Sequence, residues 1–446
     1  MATTETTGRT ADATVVRVPR ITQGDVVYAS IVAFFAWVFS VYDFIMFGVM
    51  LPVIADAFGW STEFAIAINT WVLAGSVIVA LSVGPITDYF GRKNALTIVT
   101  AGAALSSGLM ALAFTPLYIV LVRSLSGFGY SEQAVNTTYL TELYGKERRG
   151  FGYSIIQGGW PIGVILAVTL NFFLLPFIGW RGVFLVATLP AVIIVVLRLR
   201  LKESPRFVYM QAVRQLLRQG RVEEARQLGR EHGIDADRSS AFTYNQLFAS
   251  DQRRHTIFVS LAYGIQWIAS PMFVILATTV LTQGKGLTFE NSLLLLILPN
   301  FVGFLGYLAI GYIGDRYSRR NLMAICWVLA AVFWAAMILF AHDFLSVMIL
   351  FAISMFFEAG VYAPTFTYFA ESYPTRIRGS GTSFANATGQ IGGIIGSGAF
   401  GLMLAAGVSV NNAALILGTV PLFIASAMVF GARNIAPRTE LEAIGT

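Results

Sequence analysis

Asp43 lies inside the apolar run 27–54, and Arg123 lies inside the run 116–141. A charged side chain in hydrocarbon is costly and marks a functional site by default. An isolated carboxylate in a low-dielectric site is driven toward its protonated form, and a neighbouring cation drives it back. Such a group switches state on small rearrangements, which is the chemistry of proton coupling. Asp43 stands nine residues before Pro52, about 13 Å at helical rise, and Arg123 stands seven after Pro116, about 10 Å. The two charges therefore share a level. A guanidinium suits a carboxylate because its planar fork makes two parallel hydrogen bonds and never deprotonates.

Glu132 follows Arg123 by nine residues, half a turn out of phase on a helix. It shares a face with Asn136 and Tyr139. Both a second proton site and a structural interhelix bond fit it, and Gly127 with Gly129 are expected to bend the helix between the two charges. Further polar groups inside apolar runs form a candidate binding set: Asn69, Gln157, Gln266, Asn300, Glu358 with Tyr362, and Asn386 with Gln390. For any single amide, interhelix hydrogen bonding is an equally ordinary use. Trp71, Trp160 and Trp267 are candidates for stacking on a ring, beside their routine use in packing and at lipid.

A second constellation is charged and repeated. Gly84, Asp88 and Arg92 recur with the same spacing as Gly311, Asp315 and Arg319, an offset of 227 residues, about half the chain. Glu142 and Arg149 recur as Glu371 and Arg378, at an offset of 229 from Glu142 to Glu371. The chain reads as two homologous halves.

The elements that carry these groups follow from composition. Mean hydropathy is +0.69 and charged residues are only 12%, about half the usual charge of a soluble chain. Twelve apolar runs are long enough to cross a bilayer as helices: 27–54, 64–87, 94–114, 116–141, 152–175, 181–199, 256–281, 291–314, 321–341, 345–370, 380–406 and 411–432. An even number puts both termini on one side. Of the 30 Lys and Arg, all but Arg123, Arg181 and Lys285 fall in the termini and the even-to-odd loops, so both termini are expected in the cytoplasm. This accounts for the basic balance without nucleic acid. The single cysteine excludes a disulfide framework, and the scattered histidines give no metal pair. No nucleophile–base set or phosphate-cradling loop appears, which counts against an enzyme. The first apolar run is too long for a signal-peptide core. In the segment 200–255, Val213, Leu216, Leu217, Val222, Ala225 and Leu228 recur among Arg and Glu. That pattern suits amphipathic helices on the membrane surface, and a solvated linker fits it as well.

Two six-span halves carrying the Gly84–Lys93 motif and its echo resemble the major facilitator superfamily. Arg123-x-x-x-Gly127-x-Gly129, Gly179-Trp180-Arg181, Glu203-Ser204-Pro205-Arg206 and Glu371-x-x-Pro374-Thr375-x-x-Arg378-Gly379 are similar to its sugar-porter-related branch. Thr439-Glu440-Leu441-Glu442 is a looser match. Tyr42-Asp43-Phe44 followed by Leu51-Pro52 resembles proton symporters of organic acids, of the aromatic-acid, sialate and metabolite types. The aromatic-acid type carries a second acid three residues earlier, where this chain has Ser40.

The resemblance implies an all-α membrane protein of twelve transmembrane helices in two pseudo-symmetric six-helix halves. The divisions are a tail at 1–26, a half at 27–199, a linker at 200–255, a half at 256–432 and a tail at 433–446. It implies that the first-span acid pairs with the fourth-span arginine, so that protonation of Asp43, with Glu132 as a second candidate, releases Arg123 to an anion. Spans 1, 4, 7 and 10 would line the cavity, which favours Gln266, Glu358 and Tyr362. Asp88, Arg92, Glu142, Arg149, Asp315, Arg319, Glu371 and Arg378 would form a cytoplasmic gate that locks the outward-open form. The function implied is secondary active import of a small organic anion, carboxylate or aromatic, with protons, in a bacterial cytoplasmic membrane. The protein would act as a monomer, with the bilayer and the substrate as its partners and no cofactor. A sugar or polyol symporter or facilitator is the alternative, ahead of a membrane enzyme or receptor.

Overall fold

In hydrocarbon, a helix is the backbone form that satisfies every N–H and C=O within its own segment. The computed structural model describes residues 17–274 and 276–439, and every regular element among them is helical. The first half holds α1 (Gln23–Phe58), α2 (Thr62–Phe90), α3 (Arg92–Met110), α4 (Pro116–Ser124), α5 (Ser126–Leu143), α6 (Arg149–Gln157) and α7 (Gly159–Arg198). The linker holds α8 (Pro205–Arg218), α9 (Val222–Glu231) and α10 (Thr243–Leu247). The second half holds α11 (Arg253–Phe273), the short α12 (Ala277–Thr279), α13 (Phe289–Gly314), α14 (Arg319–Phe340), α15 (Phe344–Gly360), α16 (Tyr362–Ser372), α17 (Arg378–Ala405) and α18 (Val410–Val429).

Among the described residues, nine helical runs are long and apolar enough to span a membrane. The run Arg149–Arg198 supplies two passages, and α3 and the α4–α5 pair complete the twelve. Gly179 divides that run, at φ 63° and ψ 173°, a conformation open to a residue without Cβ. Passages 5 and 6 are thus joined by a single-residue turn, shorter than the loop expected from the sequence. The fourth passage breaks at Leu125, between α4 and α5, and the tenth breaks at Val361, between α15 and α16. The bend expected at Gly127 and Gly129 lies at Leu125 instead. Gly127 serves close packing, since a Cβ there would stand 2.3 Å from the Ser76 carbonyl oxygen.

The halves meet where α2 packs on α17 and α6 packs on α13, which pairs passage 2 with 11 and passage 5 with 8. The repeated glycines explain the closeness. A Cβ on Gly84 would lie 2.6 Å from Ser380 Cα, and one on Gly311 would lie 2.5 Å from Ser154 Cβ.

The linker holds the amphipathic helices expected of it, α8 and α9, packed on each other. The apolar stripes of α8 and α9 do not spread as a surface-lying face. Met210, Val213, Leu216 and Ala225 close with Ile234 and Ala236 into a small core of their own, while Val222 stays exposed. The motif residues Glu440, Leu441 and Glu442, most of the first tail and half of the last lie outside the described residues.

Candidate substrate and proton site

Asp43 on α1 and Arg123 on α4 form an ion pair in the bundle interior. Arg123 Nη1 lies 3.2 Å from Asp43 Oδ1, and its Nη2 donates to the Asp43 carbonyl oxygen at 3.1 Å. The pair is fixed from α3, where Ser107 donates to Asp43 and Ser106 accepts from Arg123 Nη1 at 3.2 Å. The Arg123 guanidinium is flanked by the rings of Phe47 and Phe184, at 5.2 and 5.5 Å. Both side chains are almost wholly buried.

Glu132 turns to the other side of the helix, as its half-turn offset requires. There it meets Arg198, the last residue of α7, which donates through both Nη atoms to the two carboxylate oxygens. Thr100 on α3 donates to the same carboxylate at 3.2 Å and accepts from Arg198. Sequence reasoning missed Arg198 by counting it as a cytoplasmic charge at the end of a span. The signal was available: a buried acid on helix 4 needed a cation, and Arg198 is still inside its apolar run.

A cavity open on one side lies between the halves. Gln157, Gln266, Asn300, Glu358 and Tyr362 all line it, with Trp160, Trp267 and Phe273 as apolar walls. Gln266 Nε2 donates to Glu358 Oε1 at 2.8 Å and to the Tyr362 hydroxyl at 3.1 Å, and that hydroxyl in turn donates to Glu358 Oε1 at 3.3 Å. Gln133 was missed by the sequence reading. It lines the cavity, accepts from Gln157 Nε2 at 3.2 Å and donates to Asn386 Oδ1 at 2.8 Å, so it ties the two halves together. It sits 100° further round the helix than Glu132, and an amide beside a buried acid drew no notice.

Asn386, Gln390 and Asn69 do not line this cavity, and neither does Arg123. The Asp43–Arg123 pair is a layer away: the Phe44 ring packs on Tyr130 at 5.5 Å, and Tyr130 packs on Trp267 at 6.0 Å. Rise along a helix gives depth but not the direction a side chain faces, and Arg123 faces Asp43. Trp71 is 64% exposed and belongs to the outer surface.

The repeated motif residues assemble at one end of the bundle. Asp88 accepts the backbone N–H groups of Gly379 (2.9 Å) and Ser380 (2.8 Å) at the start of α17. Asp315 accepts those of Gly150 (2.7 Å) and Phe151 (2.9 Å) at the start of α6. A carboxylate there satisfies orphan donors and faces the positive end of the helix dipole. Glu142 lies 3.0 Å from Arg92 and 2.6 Å from Arg378. Glu371 lies 3.2 Å from Arg319 and 3.8 Å from Arg149. Arg376 is drawn off to the linker, where it donates to Gln246 at 2.7 Å. The linker also braces the first half. Glu203 accepts from the Arg92 and Lys93 N–H groups that open α3, and burial raises the pKa of its carboxyl.

The family described as sugar (and other) transporters matches residues 29–432. The chain belongs to that family. It is a major facilitator superfamily transporter, and its two halves meeting across a central cavity are the architecture of that superfamily. Among curated relatives, the niacin transporter NiaP of Acinetobacter baylyi is 24% identical over 402 residues, 84% of this chain and 87% of that protein. The gallate transporter of Pseudomonas putida is 26% identical over 89% of each chain. The cis,cis-muconate transport protein of Acinetobacter baylyi is 26% identical over 87% of this chain and 90% of its own. The solved proton:xylose symporter XylE shares the fold, with a TM-score of 0.73 at 19% identity over 96% of this chain and all of that one.

Proposed function

We propose that this transporter imports a small ring-bearing organic acid together with protons, by alternating access, across a bacterial cytoplasmic membrane with both termini inside. The buried Asp43–Arg123 pair carries the proposal. While Asp43 is ionised it holds the guanidinium at 3.2 Å. A proton on Asp43 removes the charge and frees Arg123, whose fork matches a carboxylate. Proton binding thus changes which facing of the bundle is favoured, the condition a gradient must meet to drive transport. The aromatic walls and the transport of niacin and gallate named for two relatives support a ring acid, and the muconate named for a third, an open-chain diacid, supports a carboxylate. The crossed contacts of Asp88 and Asp315 act as the cytoplasmic gate, closed in this conformation, and the halves rock about the midplane cavity.

A second reading has an observation of its own. No Lys, Arg or His is among the described residues lining the cavity, and its amides suit the hydroxyls of a sugar or polyol. One assay separates the two. Protein in liposomes with an inward proton gradient is offered labelled nicotinate, gallate, cis,cis-muconate, xylose and glucose. The proposal expects gradient-driven accumulation of at least one acid, abolished by a protonophore. Accumulation of the sugars alone would overturn it.

A further inference from the structure

Glu358 is unlike every other buried acid among the described residues. Asp43, Asp88, Glu132, Asp315 and Glu371 each have an arginine within 4 Å. Glu358 has none, and it is the only acidic or basic side chain among the described residues that line the cavity. The groups facing it are neutral from every side: Gln266 and Ser270 from α11, Tyr307 from α13, Cys326 from α14 and Tyr362 from α16. Its two oxygens are not equivalent. Oε1 accepts from Gln266 and Tyr362, while Oε2 is buried and has no hydrogen-bond partner among the described residues.

A buried carboxylate without a cation takes up a proton rather than bear its charge. An anion entering the same cavity strengthens that demand, because two like charges at close range in a poorly polarisable site repel strongly. We propose that Glu358 is a second proton site, which admits the anionic substrate only in its carboxylic-acid form. Gln266 and Tyr362 hold Oε1 as the acceptor, so the proton resides on Oε2 and is donated in a hydrogen bond to the substrate carboxylate. No bond other than this hydrogen bond forms, and the proton stays on Glu358 while the substrate is bound. Trp160 and Trp267 then flank the ring. The linkage is reciprocal: the proton favours the anion by the factor by which the anion favours the proton. This assignment rests on the organic-acid reading above, and it makes proton and substrate partners in one cavity, apart from the Asp43–Arg123 switch.

The test is binding of nicotinate and gallate to the purified full-length transporter, by calorimetry from acidic to alkaline pH in buffers of different ionisation enthalpy. For the wild type, affinity falls by up to about tenfold per pH unit on the alkaline side, and binding takes up protons. In Glu358→Gln the Oε2 position becomes a permanent donor, so the acid still binds, its affinity at alkaline pH rises relative to wild type, and one fewer proton is taken up. Undiminished proton uptake in Glu358→Gln overturns the proposal and leaves the organic-acid reading standing. If the wild type binds neither acid but binds the 1-methylnicotinamide cation, and Glu358→Gln loses that binding, Glu358 is a counter-ion and both readings fall. Wild-type infrared difference spectra give a result that needs no variant. Binding at alkaline pH should bring up a carboxylic-acid carbonyl band, and its absence overturns the proposal.

Discussion

Asp88 and Asp315 make the same bond in opposite directions across the molecule. Asp88, from the first half, accepts two backbone N–H groups at the start of α17 in the second. Asp315, from the second half, does the same at the start of α6 in the first. Each is followed four residues later by an arginine, Arg92 or Arg319, that ties it to a glutamate, Glu142 or Glu371. The sequence repeat is thus a repeat of bonds, and each half caps a helix of the other. Under the proposed gating role, opening that end would break both caps.

Removing one carboxylate charge should therefore favour opening. Asparagine keeps one acceptor oxygen, so the loss is one of the two N–H bonds and the charge facing the helix dipole, together about 1–2 kcal/mol, close to a tenfold change in an equilibrium. Asp88→Asn and Asp315→Asn should each speed labelling of a cysteine introduced beside the cap, to similar extents. Unchanged labelling in both would show that the caps do not hold this end closed.

Glu132 and Arg198 offer a separate test. Arg198→Met leaves Glu132 buried and uncompensated, an expected loss of about 3–5 kcal/mol. The double variant with Glu132→Gln should recover most of the melting temperature. Recovered stability together with retained pH-driven uptake would identify the pair as structural. Loss of pH-driven uptake in the well-folded double variant would return Glu132 to the proton pathway.

Arg123→Lys keeps the charge and loses the fork. Once a proton on Asp43 lets Arg123 leave it and reach the cavity that it does not line in this conformation, binding of a carboxylate should weaken roughly tenfold or more in the variant, since one of two parallel hydrogen bonds is removed, while a neutral solute should be little affected. Equilibrium binding of nicotinate and xylose to the same preparation reads the difference. Equal effects on both would argue that Arg123 acts only through packing.

Part of this arrangement was legible in the chain because membrane helices obey simple geometry. Rise per residue put Asp43 and Arg123 at one level, and the structure joins them at 3.2 Å. The half-turn between Arg123 and Glu132 required two different partners, and Asp43 and Arg198 are those partners. Spacing along one helix does not say which neighbour its faces meet. That is why Arg123 looked like a cavity residue and Gln133 did not. The break at Leu125 lies two residues before Gly127, so the glycines marked the neighbourhood of the bend but not its residue. The linker's apolar stripes were visible, but a stripe does not reveal whether lipid or a second stripe covers it, and here α8 and α9 cover each other.

The most direct test of the central claim is Asp43→Asn in liposomes, with the substrate found in the panel above. Two modes are measured: uphill accumulation driven by an inward proton gradient, and exchange of labelled for unlabelled substrate at equal concentrations. The asparagine mimics the protonated acid and cannot cycle, so accumulation should fall to background while exchange continues. Uphill accumulation at the wild-type rate would contradict the account and remove Asp43 from proton coupling.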